Sequence, residues 1–102
     1  MTTLEADLAK AKAENVEVTE ETLVADLTDG RTIVVPIVWF PRLSHSSVEE
    51  RRDFRLTGNG EGIHWPRLDE DISIRSLLAG RRSDESPESL QAWLSKRKPK
   101  AT

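Results

Sequence analysis

No cysteine occurs among the 102 residues, which excludes a disulfide framework and a thiolate zinc site and leaves burial and hydrogen bonding to hold the fold. That usage fits a reducing cytoplasm. Aromatic residues are scarce at 5%, and no run approaches the ~20 apolar residues of a membrane-spanning helix. The first residues, "MTTLEADLAKAK", carry acid early and lack a basic start followed by an apolar stretch, so export is not expected either. Neither sign of charge dominates: 15 basic side chains face 18 acidic ones, for a net charge of -3, which argues against bulk nucleic-acid binding. Internal repeats and low-complexity tracts are missing too, and the length suits one modest core.

What is present is unevenly placed. Residues 1 to 30 hold eight carboxylates against Lys10 and Lys12, whereas residues 81 to 102 hold six basic side chains against Asp84, Glu85 and Glu88. Thr2 and Glu5 have capping-box spacing, and Leu4, Leu8 and Ala11 follow a helical stripe, so a short N-terminal helix is predicted. The period then changes to two. Leu23, Ala25 and Leu27 share a face, Ile33 and Val35 continue it after the turn "TDGR", and Val16 with Val18 adds a third strand. Pro36 ends the pairing, and "IVWFPRL" reads as a buried corner whose two prolines deny it a long helix or a central strand.

Ser46 with Glu49 and Ser47 with Glu50 offer overlapping capping boxes for a short helix through about Asp53. Phe54 with Leu56, and Ile63 with Trp65, form a second hairpin about the glycine-rich "GNGEG". This loop lacks the Lys-Ser/Thr of a phosphate loop and opens no helix. After Pro66, Leu68 and Ile72 lie in an irregular turn, with Ser73 or Asp71 capping a helix that carries Ile74, Leu77 and Leu78 and closes at Gly80. Asp69 and Asp71 are expected to pair with Arg67 or Arg75. Ser86 and Pro87 start a last helix, whose apolar face is Leu90, Trp93 and Leu94.

The runs "LTDGRTIVVPIVWFPRL" and "ERRDFRLTGNGEGIHWPRLDEDISIRSLLAG" resemble the small bacterial proteins grouped as domain of unknown function 2442, over roughly residues 16 to 80. The resemblance implies an α+β domain without settled biochemical activity, encoded beside another small domain in a manner similar to toxin-antitoxin pairs. Some members of that family add a helix-turn-helix region. Only about twenty residues follow Gly80 here, too few for such a region with its own core, so a DNA-binding role is not carried over.

The expected architecture is α+β: an antiparallel sheet of four to five strands from two hairpins, packed with short helices, plus a C-terminal amphipathic helix. Residues 1–80 form the domain with its N-terminal helix, and residues 81–102 a linker and helix rather than a second domain. The expected function is a non-catalytic bacterial protein-interaction domain, cytoplasmic, antitoxin-like or regulatory, with no cofactor. Its partner would be a protein from an adjacent gene, or a second copy in a homodimer. Leu90, Trp93 and Leu94 are the candidate contact residues, with Trp39 and Phe40 as a second patch if that corner is exposed. One alternative is a small nucleic-acid-associated regulator using Lys96, Arg97, Lys98 and Lys100. Another is a metal-dependent hydrolase built on His64 with the Asp69 and Asp71 carboxylates.

Overall fold

A computed structural model describes residues 10–97. The predicted N-terminal helix and the terminal lysines Lys98 and Lys100 fall outside them, apart from Ala11, which is buried. Strands β1 (Ala13–Val18), β2 (Thr22–Leu27) and β3 (Thr32–Pro36) form an antiparallel meander. Its inner face is the one the period of two predicts. Leu23, Ala25 and Leu27 are each 1% exposed, and the register places Val18 and Val35 beside Leu23, and Val16 and Ile33 beside Ala25. At the β2–β3 turn the Gly30 N–H donates to the Leu27 carbonyl at 3.1 Å, with Gly30 at φ 96°. A side chain is disfavoured at that angle.

Pro36 closes β3, and the apolar corner follows as a 3-10 turn at Ile37–Trp39 and the short helix α1 (Pro41–Ser44). Ile37, Phe40 and Leu43 enter the core from it. Helix α2 (Val48–Arg52) uses the second of the two capping registers: the Ser47 hydroxyl accepts the Glu50 N–H, and the Glu50 carboxylate accepts the Ser47 N–H. Arg51, on α2, donates to the carbonyls of Thr19, Leu43 and Ser44. It thereby ties the β1–β2 turn to the end of α1. Its own carbonyl accepts the indole N–H of Trp65 at 3.0 Å.

The second half differs from expectation. Strands β4 (Arg55–Thr57), β5 (Gly62–Trp65) and β6 (Glu70–Ser73) make a second antiparallel meander, so six strands stand in two three-stranded sheets rather than four to five in one. The corner, α1 and α2 separate the two meanders in sequence, and no strand of one pairs with a strand of the other among the described residues. The acidic run read as an irregular turn is itself β6. It alternates, with Ile72 buried between exposed Asp71 and Ser73, and pairs with β5 from Gly62–Ser73 to Trp65–Glu70. Phe54 packs on Trp65 with ring centroids 6.1 Å apart, but Leu56 is 38% exposed, so the face they were expected to share is half-buried at one end and exposed at the other.

Helix α3 (Ile74–Leu78) starts at Ser73, whose hydroxyl accepts the Ser76 N–H, and buries Ile74 and Leu77. Gly80, at φ 73°, follows it. Helix α4 (Pro87–Lys96) starts at Ser86 with proline in its first turn. Both sheets, the corner and α3 contribute to one apolar cluster, in which Trp65, Leu68, Leu43 and Ile74 are 0% exposed.

Candidate functional site

Arg42, on the short helix α1, organises the polar side of the molecule. Its Nε bonds Glu85 Oε1 at 2.5 Å, and its Nη1 bonds the carbonyls of Leu68 and Asp69 at 3.0 and 3.2 Å. The guanidinium also lies 5.2 Å from the Trp93 ring centroid. One side chain thus joins the β5–β6 turn, the segment before α4, and α4 itself. Asp69, in that turn, has φ 51°, a left-handed conformation that Asp tolerates better than most residues. The Glu85 carboxyl is also bonded by the Ser89 hydroxyl. Arg42 and Ser89 together hold it below the ordinary carboxylate range.

Around this pair runs an open groove of about 430 Å³ lined by Arg42, Glu70, Ser73, Ser76, Arg81 and Arg82, among others. Glu70 is its anomaly. Its Oε2 is buried without a hydrogen-bond partner, and burial raises the carboxyl above its usual range despite the opposing influence of Arg42. A carboxyl raised by burial destabilises the fold wherever it is ionised, and the loss fades as the pH falls through the raised value toward the ordinary one. Glu70→Gln should therefore stabilise the protein at pH 7, by about 0.5–1 kcal/mol, and make the gain vanish in mild acid. Urea midpoints at the two pH values test this, and a destabilised variant at pH 7 would contradict it.

The predicted contact residues are distributed differently from one another. Trp93 is half-buried against the chain's own core, with Arg97 stacked 4.5 Å from its ring centroid. Leu90 and Leu94 are half-buried. Phe40 is 5% exposed within the core and so is withdrawn from the second patch. Trp39 remains half-buried under Arg82, 5.0 Å from its centroid. Arg97 forks onto Glu50 at 2.7 and 2.8 Å, which removes one of the four cations expected to be free at the C-terminal end.

That fork pulls the Glu50 carboxyl down to about 2, mainly through Arg97. A depressed carboxyl stabilises the fold above its unfolded value, and the contribution is lost as the pH falls toward the folded one. Acidification from about 4.5 to 2 should loosen the α4 contact. The loss is about 1–2 kcal/mol once solvent screening is allowed for, read as a change in tryptophan emission that Arg97→Gln abolishes.

The hydrolase residues are only partly assembled. His64 and Asp71 are cross-strand neighbours bonded Nδ1 to Oδ1 at 2.8 Å, whereas the Asp69 carboxylate stands 3.9 Å from Arg42. The expected pairing of these aspartates with Arg67 or Arg75 is replaced by these contacts. Among the described residues no group of three or more His, Asp or Glu side chains is placed to hold a metal ion. Nor is any helix among them long and apolar enough to cross a membrane. Sequence reasoning missed Arg42, since its surroundings are assembled from segments far apart in the chain, and it weighed Glu70 only beside His64, Asp69 and Asp71 as a donor to a metal or an acid-base pair.

A family model described as a protein of unknown function, DUF2442, matches residues 13–83. No curated protein matches the chain. A crystal structure of a protein of unknown function from Rhodospirillum rubrum is similar with a TM-score of 0.64 and 26% identity, covering 74% of this chain and 94% of that one. A solution NMR structure of an uncharacterized protein from Chromobacterium violaceum has a TM-score of 0.63 at 21% identity, covering 96% and 87% respectively, and shares the fold.

Proposed function

This chain belongs to the DUF2442 family of proteins of unknown function, and we propose that it is a non-catalytic protein-interaction domain that takes up an extended segment of a partner protein along β3. The observation that carries this reading is the phase of the β2–β3 ladder. The Arg31 carbonyl accepts the Leu27 N–H of β2, the Ile37 N–H donates to the carbonyl of Glu21 just before β2, and the same register runs through Ile33–Ala25 and Val35–Leu23. Backbone groups alternate in direction along an antiparallel strand. Thr32, Val34 and Pro36 therefore point theirs away from β2, on an edge that no other strand covers among the described residues.

The edge is uncharged from Thr32 to Pro36. Val34 is 58% exposed on it, and Val38, just beyond, is 69% exposed beside Trp39. Natural edges are usually blunted by charge, and the lone such device here is Pro36, whose missing donor falls at the end of the run. An extended, uncharged, β-branched segment matches both the free backbone groups of Thr32 and Val34 and the apolar side chains around them. A partner encoded by an adjacent gene, in an antitoxin-like or regulatory pair, is the source that the family resemblance favours.

The test is to combine the full chain with that gene product and follow amide hydrogen exchange. Binding should protect the Thr32 and Val34 amides, and Val34→Lys should weaken it by about tenfold or more with an unchanged melting temperature. Absence of binding, protection confined to Leu90–Leu94, or full affinity of Val34→Lys would each overturn the proposal.

A further inference from the structure

The groove beside Arg42 is a second surface, lined by no residue of β3 and so independent of strand pairing there. Glu70 Oε2 lacks a donor there, although the Asp71 backbone N–H favours the carboxylate. The Arg42 guanidinium is committed to Glu85 and to the carbonyls of Leu68 and Asp69. Asp71 and Glu85 carry the same sign as Glu70 and oppose its ionisation, so the missing donor is best supplied by a cation. Asp71 is itself occupied by His64. The same groove is lined by Arg81 and Arg82, both exposed, and Arg82 is steadied over Trp39. The groove is therefore acidic along β6, while the segment after α3 brings Arg81 and Arg82 to it together with Asp84 and with Glu85, which Arg42 neutralises. A simple anion would be repelled by the β6 carboxylates, and a simple cation would make no use of Arg81 and Arg82.

We infer that this groove is a binding site for a dipolar ligand carrying a guanidinium or ammonium group together with a carboxylate, as offered by free arginine or lysine or by a peptide ending in either. The cationic group meets Glu70, and the carboxylate meets Arg81 and Arg82. A volume of about 430 Å³ accommodates a molecule of that size.

The experiment is an NMR titration of the isotopically labelled full chain with three probes: L-arginine, N-acetyl-L-arginine and agmatine, which lacks the carboxylate. Saturable shifts are expected at the Glu70 side-chain carboxyl and at the Arg81 and Arg82 amides. Glu70→Gln should weaken binding about tenfold, and Arg81→Gln with Arg82→Gln should reduce a carboxylate-bearing probe to the affinity of agmatine. Binding of L-arginine alone would identify a free amino acid, whereas equal binding of N-acetyl-L-arginine would identify a chain end; both support the site. Failure of both to saturate, an undiminished affinity in Glu70→Gln, or agmatine binding as tightly as N-acetyl-L-arginine would overturn it.

Discussion

Gly60→Ala should destabilise the protein by about 3 kcal/mol or more, which for a domain of this size is a large part of the total. Two effects coincide at this position. Gly60 has φ 98°, where a side chain costs about 1 kcal/mol in backbone strain. A Cβ built there would also lie 2.4 Å from the Ala13 carbonyl oxygen and 3.3 Å from its nitrogen. The obstacle is backbone, and it sits beside the register shift between Ala13 and Asn15 of β1, with Ala13 itself 3% exposed. Neither chain can yield without opening the contact between the β4–β5 loop and the first sheet. Gly30→Ala is the matched control, since its φ is 96° with nothing within 4 Å of the added carbon. It should cost only the strain, about 1 kcal/mol. Urea midpoints for the two variants separate the clash from the strain, and equal midpoints would refute the close approach.

The contrast between those glycines also marks how far one can read this fold along the sequence. Asp29-Gly30, Ser47 with Glu50, Ser73, and Ser86-Pro87 are all signals completed within a few residues, and each has the structural role its spacing implies. Gly60 was legible as a turn residue, but its reason is Ala13, almost fifty positions earlier. Strand β6 escaped because the run "LDEDIS" puts the Glu70 carboxylate on the same face as Ile72, and Asp71 on the outward one, so that it resembles the acidic lead-in to a helix. Its single buried residue, Ile72, gives a weak alternation. Among the candidate contact residues, the face Leu90, Trp93 and Leu94 was legible as apolar. Docking on the same chain and docking on a partner were both compatible with that face, because the groups that hold the helix, Glu50 and Arg42, belong to the short helices near the middle of the sequence. The β3 edge was invisible for a different reason: which backbone groups face outward depends on ladder phase, to which side-chain type is blind.

Arg42→Met should be nearly as damaging as Gly60→Ala, and by a separable route. The Arg42 and Glu85 side chains are 16% and 10% exposed, so their pairing is more than a screened surface contact. Methionine retains much of the length and apolar bulk while removing every donor. Glu85 then keeps only the Ser89 hydroxyl, and the Leu68 and Asp69 carbonyls lose the guanidinium that bridged them to it. Breaking such a pair from one side leaves a poorly solvated charge behind, at a cost of about 2–4 kcal/mol. Adding Glu85→Gln to Arg42→Met removes that stranded charge and should recover about 1–2 kcal/mol, whereas Glu85→Gln alone should be mildly destabilising. Trp93, which loses one of its two stacked guanidiniums, should shift its emission in Arg42→Met before global unfolding begins. The pH response should change in step. In the parent chain Arg42 and Ser89 hold the Glu85 carboxyl low, so its contribution is full above the ordinary carboxylate range and is lost as the pH falls below it; with Arg42 gone, that loss on acidification should shrink. Strict additivity of the two substitutions would show that the pair is not coupled, and α4 would then have to be held by the Glu50–Arg97 fork and Trp93 alone.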